Sequence, residues 1–368
     1  MINQIFDIIS KRIDAFLMAC LFLTLILGLF VIYSASAPYM YKQAINIAVA
    51  LICMWTVANI APHHLQRLAL PLYVLGVILL IAVELFGYSS KGAQRWLNIG
   101  FTKIQPSELM RIALPMMLAW YFAKVEGKAS PRDFIVAGLL LFVPVVLIKM
   151  QPDLGTSIMI FASGFYILYL AGLNWKLLTG SVTSLAVITP VVYHFRQPLL
   201  DMLINHGLLH DYQRKRIEIL LGDIQDPLGA GYNTMQSVIA VGSGGVDGKG
   251  WLNGTQTQLD FLPEHHTDFI FAVFSEEFGF IGNLLLLSLF SLIILRGLYI
   301  ASSAQNTFNR LLAGSITLTF FTYVFVNMGM VSGILPVVGV PLPLISYGGT
   351  SMVTLAISFG ILMSIHTH

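Results

Sequence analysis

Apolar runs of about 20 residues recur along this 368-residue chain, each long enough to cross a hydrocarbon core of about 30 Å. Inside lipid the backbone must satisfy its own hydrogen bonds, which leaves helices or a closed barrel. The runs are continuous rather than alternating, so they predict helices. Only 10% of the residues are charged, against about 25% in a soluble domain. The expected fold is an all-α polytopic membrane protein of about ten transmembrane helices. The spans fall near 14–34, 43–61, 67–87, 105–124, 134–150, 155–172, 177–194, 268–296, 311–332 and 343–365. Residues 1–368 read as one membrane domain, within which 195–267 is a large extracytoplasmic loop between helices 7 and 8.

Basic residues orient the chain. Lys11, Arg12, Arg67, Lys124, Lys128, Arg132, Lys176, Arg296 and Arg310 fall on one side, and Lys42, Lys91, Arg95, Lys103 and Lys149 in the short loops opposite. The richer side is expected to be cytoplasmic, with both termini there. A net charge of +2 is too small to suggest nucleic acid as a partner. Cys20 and Cys53 lie inside predicted helices and read as small apolar packing residues. Residues 1–12 read as an amphipathic lead-in rather than a cleaved signal. No internal repeat stands out, so an inverted-repeat transporter has no support.

Polar residues inside membrane spans are costly and each needs a reason. The densest group is Phe261-Leu-Pro-Glu264-His-His266-Thr-Asp268-Phe, with Glu276 and Glu277 two turns further in. Asp268 sits where a loop becomes a helix, a place that suits either a helix cap or a functional carboxylate. Gln105-Pro-Ser-Glu108-Leu-Met-Arg111 opens the fourth span, and its Glu108 and Arg111 share a helix face and can pair. Pro106 fits a first turn and Ser107 can help satisfy free amides. Asp153, in Gln151-Pro-Asp153-Leu-Gly-Thr156, is placed to cap the sixth span. Pro341-Leu-Pro-Leu-Ile-Ser346-Tyr-Gly-Gly-Thr350-Ser351 puts a small polar strip before the last span. All four groups lie at the outer ends of helices, which argues for one shared site. Lys91, Arg95, Lys103, Arg214, Lys215, Arg216 and Lys249 fall on that same side. They read either as solvated loop charge or as a surface for an anionic ligand such as a lipid phosphate.

Other matches carry nothing. Gly248-Lys249 looks like the end of a P-loop, but Gly250 stands where Ser or Thr is needed. His265 and His266 are adjacent, so their side chains diverge and lack the spacing of a helix-borne zinc pair.

Together the segments resemble the SEDS family of cell-wall polymerases, whose members include RodA and FtsW. The matching pieces are Gly92-Ala-Gln-Arg95-Trp96-Leu, Gln105-Pro-Ser-Glu108, Gln151-Pro-Asp153-Leu-Gly-Thr156, Phe261 to Phe269 and Pro341 to Ser351. The short ends and the stretch Thr255 to Pro263 look more like the RodA branch. The resemblance implies a peptidoglycan glycosyltransferase that polymerises lipid II into glycan strands during cell elongation in the bacterial inner membrane. Its essential aspartate maps to Asp268. Its membrane pair, usually Glu with Lys, maps to Glu108 and Arg111, and the arginine is a departure, since a planar fork replaces a point charge.

The implied chemistry is an inverting displacement with Asp268 as general base. The leaving pyrophosphate needs positive charge, for which Lys91, Arg95, Arg214 to Arg216 or a divalent cation are candidates. Glu108, Arg111, Trp96, Asp153, Glu264, His266, Ser346 and Thr350 complete the candidate site in supporting or substrate-binding roles. Implied partners are the growing glycan strand, a class B penicillin-binding transpeptidase and other elongation-complex proteins. A lipid II flippase is the rival reading, and a non-catalytic scaffold is a third.

Overall fold

The structure is a computed structural model that describes residues 13–90, 93–98, 103–125, 128–151, 153–173, 179, 194–205, 231–258 and 265–368. Nearly all of the predicted seventh span, 177–194, lies outside these residues. The other nine predicted spans each coincide with a helix. These are α1 (Ala15–Ala35), α2 (Ala37–Ala58), α3 (Pro62–Phe86), α4 (Pro106–Lys124), α5 (Pro131–Met150) and α6 (Leu154–Leu170). After α7 (Arg196–Asn205), α8 (Tyr232–Ser243) and α9 (Thr255–Gln258) come α10 (Ile270–Ser303), α11 (Thr307–Val331) and α12 (Gly349–Thr367).

Local chemistry sets where these helices begin. Asp14 caps α1 by accepting from the amide of Leu17 at 2.8 Å, and Asp153 caps α6 by accepting from Thr156 at 3.2 Å. Proline occupies the first turn of α2, α3, α4 and α5, where its missing N–H has no intrahelical partner to lose. Ser107 does not cap α4 as expected, and its hydroxyl is buried without a partner. The second span starts at Ala37 rather than near 43. Lys42 suggests a loop in the sequence, but it lies within the helix with its ammonium 5.6 Å from the centre of the Tyr39 ring.

Among the described residues seven helices are long and apolar enough to cross a membrane, and α6 is a shorter apolar helix of 17 residues. Helix α4, which carries Glu108, Arg111 and Lys124, is not among the seven, and protein wraps it, since it packs on α3, α5, α6, α11 and α12. Met110, Leu114 and Leu118 are buried on it, and the same enclosure lets Glu108 and Arg111 sit at this depth. The outward faces of other helices carry exposed Phe22, Ile45, Leu85, Leu139, Ile281 and Leu295, as lipid contact requires.

Specific contacts tie each end of the bundle. At one end Asp14 is buried against Arg296, whose Nε donates to it at 2.7 Å, with His366 Nε2 3.5 Å away. This cluster joins α1, α10 and α12 and puts residues 14 and 366 at the same end. At the other end His265 Nε2 lies 2.9 Å from the Ala35 carbonyl, and Gln43 Nε2 donates to the Ser346 carbonyl at 3.2 Å. The connection after α3 holds a small antiparallel sheet of β1 (Tyr88–Ser90), β2 (Ala93–Asn98) and β3 (Lys103–Ile104). Its register pairs Tyr88 with Trp96 and Leu97 with Ile104.

Residues 231–258 are built into the bundle. Ser237 of α8 donates to the Val331 carbonyl at 2.9 Å. Helix α10 is broken at Gly279, with φ 63° and ψ −159°, a conformation open almost only to glycine. The amides of Lys249 and Gly250 donate to the carbonyls of Glu276 and Glu277, each at 3.0 Å. The amides of Phe280 and Ile281 donate to Gly245 and Val246 at 2.9 and 3.1 Å. The break therefore leaves no orphaned backbone at these positions. A Cβ on Gly279 would collide with the amide nitrogen of Gly248, and one on Gly248 with the carbonyl of Glu277. Gly279→Ala is expected to cost roughly 1–3 kcal/mol from backbone conformation alone, read as a lower thermal transition of the purified protein in detergent.

Candidate active site

Asp268 lies in the turn ahead of α10 and is partly exposed. The helix starts at Ile270 with Phe269 at the cap position. The Asp268 backbone is held on both sides. Asn327 of α11 donates to the Asp268 carbonyl at 2.9 Å and to that of Val340 at 2.7 Å. Ser346 donates to the Thr267 carbonyl at 2.7 Å, and the Tyr347 amide donates to that of His266 at 2.9 Å. A Cβ on Gly339 would stand 3.6 Å from Asp268 Oδ2, so the carboxylate faces the 339–346 connection. The His266 ring stacks on Tyr39 with centroids 4.5 Å apart, while His265 turns toward Ala35. Among the described residues no three of His, Cys, Asp and Glu gather as a metal-binding set.

Beside this turn a cavity of about 70 Å³ runs between α4, α11, α12 and the 341–346 connection. Arg111, Tyr323 and Ser346 line it, as do Phe320, Leu355 and Phe359. Arg111 Nη1 donates to Glu108 Oε2 at 2.9 Å, so the pair expected from their spacing is present. The guanidinium also lies 5.1 Å from the centre of the Tyr323 ring. Removing one partner of a buried pair strands the other charge and costs about 3–5 kcal/mol. Arg111→Ala is therefore expected to destabilise the protein and abolish activity. Arg111→Lys is expected to keep the pair and hold activity within about tenfold, losing the planar stack on Tyr323 worth up to about 2 kcal/mol. Thermal transitions and activities of the two variants check this.

Arg95, on β2, places Nε 3.4 Å from Asp153 Oδ2 and so ties the sheet to the start of α6. Trp96 follows Arg95 on β2 and is half-buried. Thr350 is exposed and does not line the cavity, whereas its neighbour Ser351 does. Lys91, Arg214, Arg216 and Glu264 lie outside the described residues.

Glu276 and Glu277 have a different place. Glu276 is fully buried, and its Oε1 receives Lys249 Nζ at 2.6 Å and both the amide and hydroxyl of Thr255 at 2.9 Å. Glu277 accepts from the Ser34 hydroxyl. Trp251 Nε1 donates to the Phe30 carbonyl at 3.2 Å. These bonds lock the 244–258 segment onto α1 and α10. Asn327, Tyr323 and Tyr39 escape sequence reasoning. Asn327 alone left a signal, a polar residue deep in an apolar span.

Fold and site define a polytopic membrane protein with a cavity lined by Arg111 and by apolar side chains, and Ser346 on its wall holds the turn that carries Asp268. The family model described as cell cycle protein, FtsW/RodA/SpoVE, matches residues 14–368, and the chain belongs to that family. It is 49% identical over 360 residues to the peptidoglycan glycosyltransferase MrdB of Escherichia coli strain K12, covering 97% of this chain and 94% of that one. It is similar to a chain in a solved structure concerning polymerization and crosslinking by a peptidoglycan synthase complex. The TM-score there is 0.79 at 28% identity, over 96% of this chain and 97% of that one. A mutant of the rod shape determining protein RodA from Thermus thermophilus matches with TM-score 0.70 at 25% identity, over 96% and 97% of the two chains.

Proposed function

We infer that this chain is a peptidoglycan glycosyltransferase that polymerises lipid II, with Asp268 as the general base of an inverting displacement. The observation that carries the reading is the placing of Asp268. Its backbone is clamped by Asn327 and, through Thr267, by Ser346, and the carboxylate faces the connection whose residues 341–346 line the amphipathic cavity. A lipid-linked sugar suits such a place, with its chain in the apolar part and its headgroup at the mouth. The acceptor's 4-hydroxyl attacks the anomeric carbon of the donor, and its proton passes to Asp268. The bond from that carbon to the lipid pyrophosphate breaks, and its electron pair leaves on the pyrophosphate oxygen. An α-linked donor then yields a β-linked strand. Arg95 and Arg111 supply positive charge on this side, alongside Lys91, Arg214 and Arg216.

The protein sits in the bacterial inner membrane with both termini in the cytoplasm and Asp268 on the extracytoplasmic side. The Asp14–His366 contact, which joins the chain's two ends, supports the shared side, and the excess of basic residues supports its being cytoplasmic. Its partners are a class B penicillin-binding transpeptidase and other elongation proteins. The test is to incubate the purified protein, alone and with that transpeptidase, with labelled lipid II and to run the product on a glycan-length gel. Polymer is the expected result. No polymer under either condition, together with lipid II translocation in proteoliposomes, would make the chain a flippase.

A further inference from the structure

The cavity beside Asp268 carries polar atoms that the protein leaves unused. Tyr323 is 9% exposed, lines the cavity and has a buried hydroxyl without a hydrogen-bond partner. One turn away on the same face of α11, Thr319 also lines the cavity, and its hydroxyl is also buried and unpartnered. Across from them Arg111 uses Nη1 on Glu108 and leaves Nε without a partner. Other hydroxyls on the wall are satisfied, Ser346 by Thr267, Thr354 by Thr350 and Ser358 by Thr354. The unsatisfied groups are thus confined to one side of the cavity, between α4 and α11. Leaving a buried polar group unpaired costs about 1–3 kcal/mol, so three such groups on one cavity point to a ligand that completes them.

The chemistry of that ligand follows from the donors. A phenol, a secondary alcohol and a guanidinium N–H all donate, so they suit an acceptor-rich anion. The rest of the wall, with Ile316, Phe320, Leu355 and Phe359, is apolar and suits a hydrocarbon chain. Tyr323 lies one helical turn, about 6 Å of rise, from Asn327, which holds the Asp268 backbone. We propose that Tyr323, Thr319 and Arg111 Nε bind the pyrophosphate of an isoprenoid lipid whose chain lies in the apolar part of this cavity. The inference rests on the reading of the protein as a lipid II polymerase. It assigns Tyr323 and Thr319 as substrate-contacting residues on the leaving-group side, apart from Asp268.

The test is calorimetric binding to the purified full-length protein in detergent, using a polyprenyl pyrophosphate, the matching polyprenyl alcohol and inorganic pyrophosphate. Wild type and Asp268→Asn are expected to bind the polyprenyl pyrophosphate alike. Tyr323→Phe is expected to weaken that binding by about tenfold or more, the loss of one hydrogen bond to a charged group. Thr319→Val is expected to weaken it as well, and it decides the matter if Tyr323→Phe lowers the thermal transition. Neither variant is expected to change binding of the alcohol. Unchanged binding of the polyprenyl pyrophosphate by folded Tyr323→Phe and Thr319→Val would overturn the proposal, as would the alcohol binding as tightly as the pyrophosphate. Inorganic pyrophosphate binding as tightly as the lipid would make this a free-anion site and overturn the lipid assignment. If the lipid binds as expected while wild type makes no polymer from lipid II, the subsite stands and the polymerase reading falls.

Discussion

Asp268→Asn is expected to lower lipid II polymerisation by about 10²–10⁴-fold, the usual worth of a positioned general base, while leaving the protein folded. The amide has nearly the shape of the carboxylate but cannot take the proton from the attacking hydroxyl. The fold should survive because the bonds that fix this turn reach its backbone. Asn327 donates to the Asp268 carbonyl at 2.9 Å and Ser346 to the Thr267 carbonyl at 2.7 Å. The thermal transition of the variant should therefore match that of wild type. Asn327→Leu should behave differently, because it frees two carbonyls, those of Asp268 and Val340, and lets the turn shift. Activity and thermal stability should then fall together.

Glu276→Ala is expected to be the most damaging change away from the reacting end. Its carboxylate is fully buried and gathers Lys249, Thr255 and the Gln256 amide onto one oxygen. Removing it leaves the Lys249 ammonium without its anion, at a cost of about 3–5 kcal/mol. At about 2–4 °C per kcal/mol that is a drop of roughly 10 °C in the thermal transition. The 244–258 segment also satisfies the backbone of α10 where Gly279 breaks it, so loosening it exposes unpaired carbonyls within the membrane. Lys249→Met should recover part of the loss in the double variant, since it removes the stranded charge. A Glu276→Ala protein that melts with wild type would refute the anchoring role.

Much of this architecture can be read from the residues because membrane helices announce themselves. The apolar runs locate nine helices, Asp153 marks a cap, and the three-residue spacing of Glu108 and Arg111 foretells their ion pair. Such features are local, and a helix period is enough to derive them. Features that depend on distant pairing were hidden. Arg95 meets Asp153 from a sheet that no periodicity indicates. The backbone exchange across Gly248 and Gly279 looks in the sequence like an ordinary glycine-rich loop. Tyr323 and Tyr39 read as core aromatics because nothing nearby in the sequence shows what faces them. Helix α4 lies between these cases: its run is legible as a span, but the enclosure that tolerates Glu108 and Arg111 is not, because it comes from packing on α3, α5, α6, α11 and α12.

The most direct test of Asp268 as the base of glycosyl transfer is a single-turnover assay of Asp268→Asn with labelled lipid II, with lipid II binding measured on the same preparation. Binding within a few-fold of wild type, a matching thermal transition and no glycan polymer is the expected result. Polymer formed at the wild-type rate would contradict it and move the base to another residue.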